Sequence, residues 1–171
     1  MVVIDAWARI IRPELVSLGN HVRIDAGVLI SGGHPVVIGD HVHLAAGAKI
    51  FASGGTIELE SFANLSVDVK VFSASDDYTS GSLTNPTVPD QYKNVTRAPV
   101  TIRRHAIIGA GSVVLPGVTL GIGSAVGALS LVREDVADGT VVAGVPATPI
   151  GRRDVERLVE LEALLREGRK P

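Results

Sequence analysis

No cysteine occurs in the 171 residues, which excludes disulfides, thiolate metal sites and a cysteine nucleophile together and is neutral about compartment. Aromatic side chains are nearly as scarce, with three Phe, two Tyr and one Trp, so the core must be filled by Val, Ile, Leu and Ala. Charge forms no block of one sign: the net charge is -2, and without a basic patch there is no case for nucleic acid or an anionic membrane as partner. The N-terminus carries Asp5, Arg9 and Arg12 and no long apolar run, so neither a signal peptide nor a membrane span is readable, and the cytoplasm is the expected location. With 46% hydrophobic residues, this length suits one domain with a continuous core.

What the sequence does have is a beat of six. Aliphatic residues fall at Ile102, Ile108, Val114, Leu120, Val126 and Val132, and the places four further on are Ala106, Ser112, Val118, Ser124 and Ser130. A helix brings its apolar face round every 3.6 residues and a half-buried strand every second, so neither keeps this time. Six is the repeat of a parallel β-solenoid, in which each hexad is a short strand plus a corner and three hexads close a triangular coil. Gly109, Gly121, Gly123 and Gly127 suit the corners, where a missing Cβ permits tight backbone.

The same beat runs through Leu18, Ile24 and Ile30, then Ile38, Leu44 and Ile50, then Leu59, Leu65 and Val71. Each set is one coil, giving about five coils and a prism about 24 Å tall at roughly 4.8 Å per layer. The steps between sets lengthen, to eight residues from Ile30 to Ile38, nine from Ile50 to Leu59 and thirty-one from Val71 to Ile102. All three insertions therefore leave from one corner, and loops gathered on one side of a solenoid usually build its binding face. The longest, within residues 73–99, is stiffened by Pro86 and Pro89. The expected organisation is an N-terminal cap at 1–17, a β-helix at 18–150 with that inserted loop, and a helix and tail at 151–171, with Asp154 as N-cap before Val155, Leu158, Leu161 and Leu165.

The run Ile108-Gly109-Ala110-Gly111-Ser112-Val113-Val114-Leu115-Pro116-Gly117-Val118 and the turn Ala143-Gly144-Val145-Pro146-Ala147 resemble the hexapeptide-repeat acyltransferases. That resemblance implies a left-handed β-helix, a homotrimer and acyl-coenzyme A as co-substrate; the period itself does not set the hand, and parallel crossovers are normally right-handed. Ser31-Gly32-Gly33, the segment Ser73 to Tyr78, the segment Leu83 to Pro89 and the Leu158–Glu162 tail are similar to bacterial N-acyltransferases that modify nucleotide-linked amino-dideoxy sugars in surface polysaccharide or glycan synthesis.

Sugar O-acetyltransferases of this superfamily place a catalytic histidine in the segment that here reads Phe72-Ser73-Ala74-Ser75-Asp76-Asp77. The departure has chemical content. A hydroxyl holds its proton nearly as tightly as water and leans on a base such as imidazole, whereas an amine near pKa ~8 needs only a carboxylate to hold and orient its ammonium. Asp76 and Asp77 are the candidates, Asp76 favoured, with the alternative that the pair is an exposed Asx turn. Tyr78, Asn85 and, by resemblance alone, Ser66 are the candidate acceptor contacts.

His21, His41 and His105 each follow the first aliphatic of a coil by three, with Phe62 in the coil between. This reads as a surface ladder before a metal site, since zinc ligands must converge on one point, and no metal is expected. His105 stays a catalytic candidate because it follows the long loop. For coenzyme A the resemblance implies backbone amides along the last coils, with Ala110 and Ala128 at pantetheine positions, Gly127 and Gly144 allowing close approach, and Arg133 at a polar or basic site. Two arginines of relatives are Thr148 and Gly151 here, which leaves Arg152 or Arg153 as phosphate contacts. Two other readings stay open: a sugar O-acetyltransferase of the maltose or galactoside type using His105 or His43, and a non-catalytic or metal-binding β-helix.

Overall fold

The computed structural model describes residues 1–170. Three parallel sheets form the sides of a left-handed prism. Face A takes Val3–Ile4, Arg23–Ile24, His43–Leu44, Asn64–Leu65, Ile107–Ile108, Ala125–Val126 and Thr140–Gly144. Face B takes Arg9–Ile10, Leu29–Gly32, Lys49–Ala52, Lys70–Phe72, Val113–Val114 and Leu131–Val132. Face C takes Val16–Leu18, Val36–Ile38, Ile57–Leu59, Val100–Ile102 and Thr119–Leu120. Most strands are two or three residues long because the chain must turn a corner every hexad; one side chain points in and its neighbour out.

The inward residues are those of the beat, from Ile24 and Ile30 to Val126 and Val132, and none of these four exceeds 3% exposure. Ala106, Ser112, Val118, Ser124 and Ser130 fill the corners from inside and are buried as well. In-register stacking follows, with Ile24 on Leu44, Leu44 on Leu65, Leu65 on Ile108 and Ile108 on Val126.

The prism has about seven turns rather than five. Residues 1–17, expected as a cap, instead build the first turn: Val3–Ile4 pairs with Arg23–Ile24 and Arg9–Ile10 with Leu29–Ile30. The step from Ile10 to Leu18 carries a short 3-10 turn, Pro13–Leu15, on the insertion-bearing edge. A further partial turn follows Val132, where Val136 bridges to Leu120 and Val141–Val142 pairs with Ala125–Val126. Ala147–Arg152 then doubles back antiparallel on Thr140–Gly144.

The helix Val155–Arg166 starts as expected, with Asp154 accepting from the Arg157 amide at 2.9 Å. It runs down the edge between faces C and A. Val155 lies against Gly139 and Gly123, Leu158 against Gly123, Glu162 against His105, and Arg166 over the Phe62 ring. One helical turn rises 5.4 Å and one coil about 4.8 Å, so successive turns of the helix meet successive coils. Along this edge His21, His41, Phe62 and His105 hold left-handed φ values of 56°, 56°, 65° and 62°. Each costs on the order of 1–2 kcal/mol for an L-residue, offset in part by ring stacking at centroid distances of 4.5, 4.7 and 5.0 Å.

Candidate active site

After Phe72 the chain leaves the prism at the edge between faces B and C. Ala74–Asp76 pairs antiparallel with Val95–Arg97, forming the base of an arm that spans residues 77–94. Ser73 pins this base. Fully buried, its hydroxyl accepts from the Gly54 and Gly55 amides at 2.9 and 3.1 Å and donates to the Phe51 carbonyl at 3.3 Å, while its own carbonyl accepts from Ala98. Gly54 is required for this crossing, since a Cβ there would lie 2.4 Å from the Ser73 carbonyl oxygen.

The two acidic candidates separate. Asp77 is the staple of the arm: it accepts from the Thr79 amide at 2.8 Å, the Ser80 amide at 3.1 Å, both hydroxyls of those residues, and Asn94 Nδ2 at 2.6 Å. These donors, Ser80 Oγ foremost, hold its carboxyl far below the usual range, so it is committed as an acceptor and cannot take a proton near neutrality. Asp76 makes no side-chain hydrogen bond or ion pair among the described residues and lines two adjoining hollows. One, about 370 Å³, is bounded by Ser53, Asn85, Pro86, Lys93, Val95 and Arg97; the other, about 360 Å³, by Phe72, Tyr78, Val113 and Leu115; both share Ala74, Ser75 and Asp76. Asn85 turns the arm by accepting from the Thr87 amide and hydroxyl at 2.9 and 2.6 Å, and Tyr78 is solvent-exposed.

A different edge, between faces A and B, carries Ser66, Ala110, Gly127, Ala128 and Gly144. As at Ala26, Ala46 and Val67 along the same edge, its corner amides at Ala110 and Ala128 donate to no acceptor among the described residues. Two buried serines hold them in line from inside: Ser112 Oγ donates to the Gly127 carbonyl at 2.8 Å and accepts from the Ser130 amide, and Ser130 Oγ accepts from the Gly144 amide at 3.0 Å. Arg133 lies at the B–C edge, on the strand two layers from that of Phe72, and its nearest carboxylate is the adjacent Glu134 at 3.6 Å.

Three candidates fall elsewhere. His105 sits at the C–A edge, side chain 9% exposed, with Nε2 2.7 Å from Glu162 Oε2, so it is not brought to Asp76. Arg153 donates from Nη1 to the carbonyls of His105, Gly123 and Ser124 at 3.0, 3.2 and 3.3 Å, and burial lowers its pKa. Through that nitrogen it clamps the start of the helix to the prism. Arg152 lies beside it, donating to the Asp138 carbonyl at 3.4 Å. The antiparallel return of Ala147–Arg152 carries both back to the C–A edge. A hollow of about 440 Å³ is also there, but its Arg103 faces Glu60 and its Arg104 and Arg166 face Glu162, so it is a structural seam.

Sequence reasoning passed over Ser73, the Ser112–Ser130 rungs and Glu162. The small residue four after each aliphatic signalled the rungs; the tail that ends at Glu162 was noted, but nothing in it pointed to His105 as its partner. Among the described residues, no helix is long and apolar enough to cross a membrane.

Prism, arm and amide-bearing edge together define a β-helix acyltransferase scaffold. No family model matches the chain. It is 40% identical over 152 residues to the dTDP-4-amino-4,6-dideoxy-D-glucose acyltransferase of Escherichia coli, covering 88% of this chain and 78% of the relative. A putative lipopolysaccharide biosynthesis O-acetyl transferase, WbbJ of E. coli K12, is 30% identical over 84% of this chain and 71% of its own length. The N-acyltransferase AntD of Bacillus cereus, in complex with dTDP and 3-hydroxybutyryl-CoA, superposes with a TM-score of 0.93 at 40% identity, covering 98% of this chain and 87% of AntD. AntD variants changed at one serine and at an aspartate ten positions further on were also solved, two serine variants with dTDP-4-amino-4,6-dideoxyglucose and coenzyme A. The chain belongs to the hexapeptide-repeat acyltransferases, alongside the bacterial N-acyltransferases of nucleotide-linked amino-dideoxy sugars.

Proposed function

We propose that this protein transfers an acyl group from acyl-coenzyme A to the amino group of a nucleotide-linked amino-dideoxy sugar, with Asp76 receiving the amine. The observation that carries the reading is the contrast at the arm base: Asp77 is spent on the arm, whereas Asp76 is unpaired where two hollows meet. The complexes of AntD support the substrate class. Its substituted serine and aspartate are ten residues apart, as are Ser66 and Asp76, which supports these two as the counterparts.

In this scheme Asp76 orients the ammonium and takes its first proton, directly or through water. The nitrogen lone pair attacks the thioester carbonyl, the C–N bond forms and the C–S bond breaks. The remaining excess proton passes from the nascent amide nitrogen to the departing thiolate, giving amide and free coenzyme A. No acyl-enzyme is needed, in keeping with a chain that has no cysteine.

One chain does not bring its own parts together. Ser66, Ala110 and Ala128 lie at the A–B edge and Asp76, Tyr78, Asn85 and Arg133 at the B–C edge, with face B between them. A symmetric trimer that sets the A–B edge of one subunit against the arm of the next supplies the cleft. Thiol release measured with amine and hydroxyl forms of the same nucleotide sugar tests the activity: turnover of the amine alone supports it, and turnover of the hydroxyl alone overturns it.

The second reading, O-acetyl transfer, draws on WbbJ and on one dyad. His43 Nε2 lies 2.8 Å from Asp25 Oδ2 on face A, an imidazole oriented by a carboxylate. His105, paired likewise with Glu162, is nearly buried at the C–A edge and lies away from the arm.

A further inference from the structure

The strand Ala74–Asp76 is a partition between two hollows of nearly equal volume, about 370 and 360 Å³, and their linings differ in kind. On one side stand Ser53, Asn85, Lys93 and Arg97. Lys93 is nearly buried and is paired to Asp90 at 3.0 Å, whereas Arg97 reaches that carboxylate only at 3.8 Å and stays half exposed. That side presents polar groups and an available cation, the chemistry of a sugar diphosphate. On the other side Phe72, Val113 and Leu115 form an apolar floor, with the Phe72 ring stacked on Phe51 at 5.0 Å and 15°. Asp76 belongs to both.

We infer that the floor formed by Phe72, Val113 and Leu115 is the acyl-chain pocket and selects a donor longer than acetyl. This rests on the proposed reaction. An amine held by Asp76 must have the thioester carbon about 3–3.5 Å away, so the acyl tail lies within a few bonds of Asp76 and must enter one of the two hollows. The polar one would strip water from Lys93 and Arg97 without replacing it. The apolar one gains with each methylene buried, and an acetyl methyl would leave most of its volume empty. Val113 opens the short strand Val113–Val114 and Leu115 follows it, so both present their side chains beside Phe72 on the outer side of face B.

The test compares acetyl-, butyryl- and hexanoyl-CoA, with a nucleotide-linked 4-amino-4,6-dideoxy sugar as acceptor. At about fourfold per buried methylene, wild-type kcat/KM for butyryl-CoA should exceed that for acetyl-CoA by roughly tenfold or more. Val113→Phe should bring the butyryl-to-acetyl ratio to one or below, and Leu115→Ala should move the preference toward hexanoyl-CoA. Calorimetric titration of the same proteins with acetyl- and butyryl-CoA reads the pocket without turnover and should show the same ordering. A ratio unmoved by both variants, in turnover and in binding, overturns the pocket. Absence of turnover with every donor, alongside a binding ratio that shifts as expected, would sink the proposed reaction and leave the pocket standing.

Discussion

His105 Nε2 and Glu162 Oε2 are 2.7 Å apart and join the prism to the helix that straps it. Glu162 is 6% exposed and its other oxygen meets Arg166 at 2.8 Å and Arg104 at 3.6 Å. Burial pushes its pKa up, but the hydrogen bonds from Arg166 and His105 and the charge of Arg104 outweigh it, and the net shift is downward.

Glu162→Ala should therefore free the lower half of the helix. A fully buried pair broken on one side costs about 3–5 kcal/mol; with Arg104 and Arg166 partly in solvent, about 2 kcal/mol is expected here. Amide exchange should accelerate from Leu158 to Arg166 while the prism strands keep wild-type protection. Unchanged exchange in the helix would refute the strap.

The same carboxyl sets a pH response. Its folded pKa lies below the ordinary 4.5, so the stability it contributes is present above that value and is lost as pH falls through the folded pKa. Protection factors in the helix should be flat from neutrality to about pH 5 and fall below about pH 4, and Glu162→Gln should abolish that fall.

Asp76→Asn keeps the shape and removes the charge. Turnover on the amino sugar should fall by about 10²–10⁴-fold, with acyl-CoA affinity by calorimetry within a factor of two or so. Asp77→Asn should cost less than about tenfold in turnover, because an asparagine oxygen still accepts from the Thr79 and Ser80 amides, and should raise exchange in the arm, because the amide nitrogen in place of Oδ2 cannot accept from Asn94. Reversed sensitivities would exchange the two roles.

Ser73→Ala orphans the Gly54 and Gly55 amides. A cost of about 1–3 kcal/mol is expected, concentrated at the arm base, with KM for the acceptor rising before the melting temperature of the prism moves. Ser73→Thr should restore the acceptor oxygen and part of the KM.

If the cleft joins two subunits, Ser66→Ala and Asp76→Asn chains mixed and reassembled should recover activity that neither shows alone. Random mixing leaves roughly a quarter of the clefts with both native residues. No recovery from verified mixed trimers would place both residues in one subunit's site.

The prism was legible because Ile24 through Val132 repeat without a miss wherever the side chain points inward. Its first turn was not, since Ile4 and Ile10 lie at the end of the stack, where Ile4 is left 46% exposed and few hexads surround them. Spacing also located the arm, because every surplus residue leaves from one edge. It could not separate Asp76 from Asp77: adjacent acids differ only in which donors the folded arm turns toward them. The partners of Arg153 and His105 were not legible for a related reason, as a strand that doubles back and a descending helix are long-range events that no hexad records.

The helix and the coils it straps act as a vernier. Their repeats differ by about 0.6 Å per turn, so contacts that begin in step at Val155 and Gly139 drift by roughly a third of a coil over the steps down to Phe62. Arg166, reaching across to the Phe62 ring at 5.9 Å, is where a long, flexible side chain absorbs that drift. A longer helix would find no further coil in phase, and the chain's strap is thereby limited to the upper coils, leaving His21 and His41 uncovered beneath it.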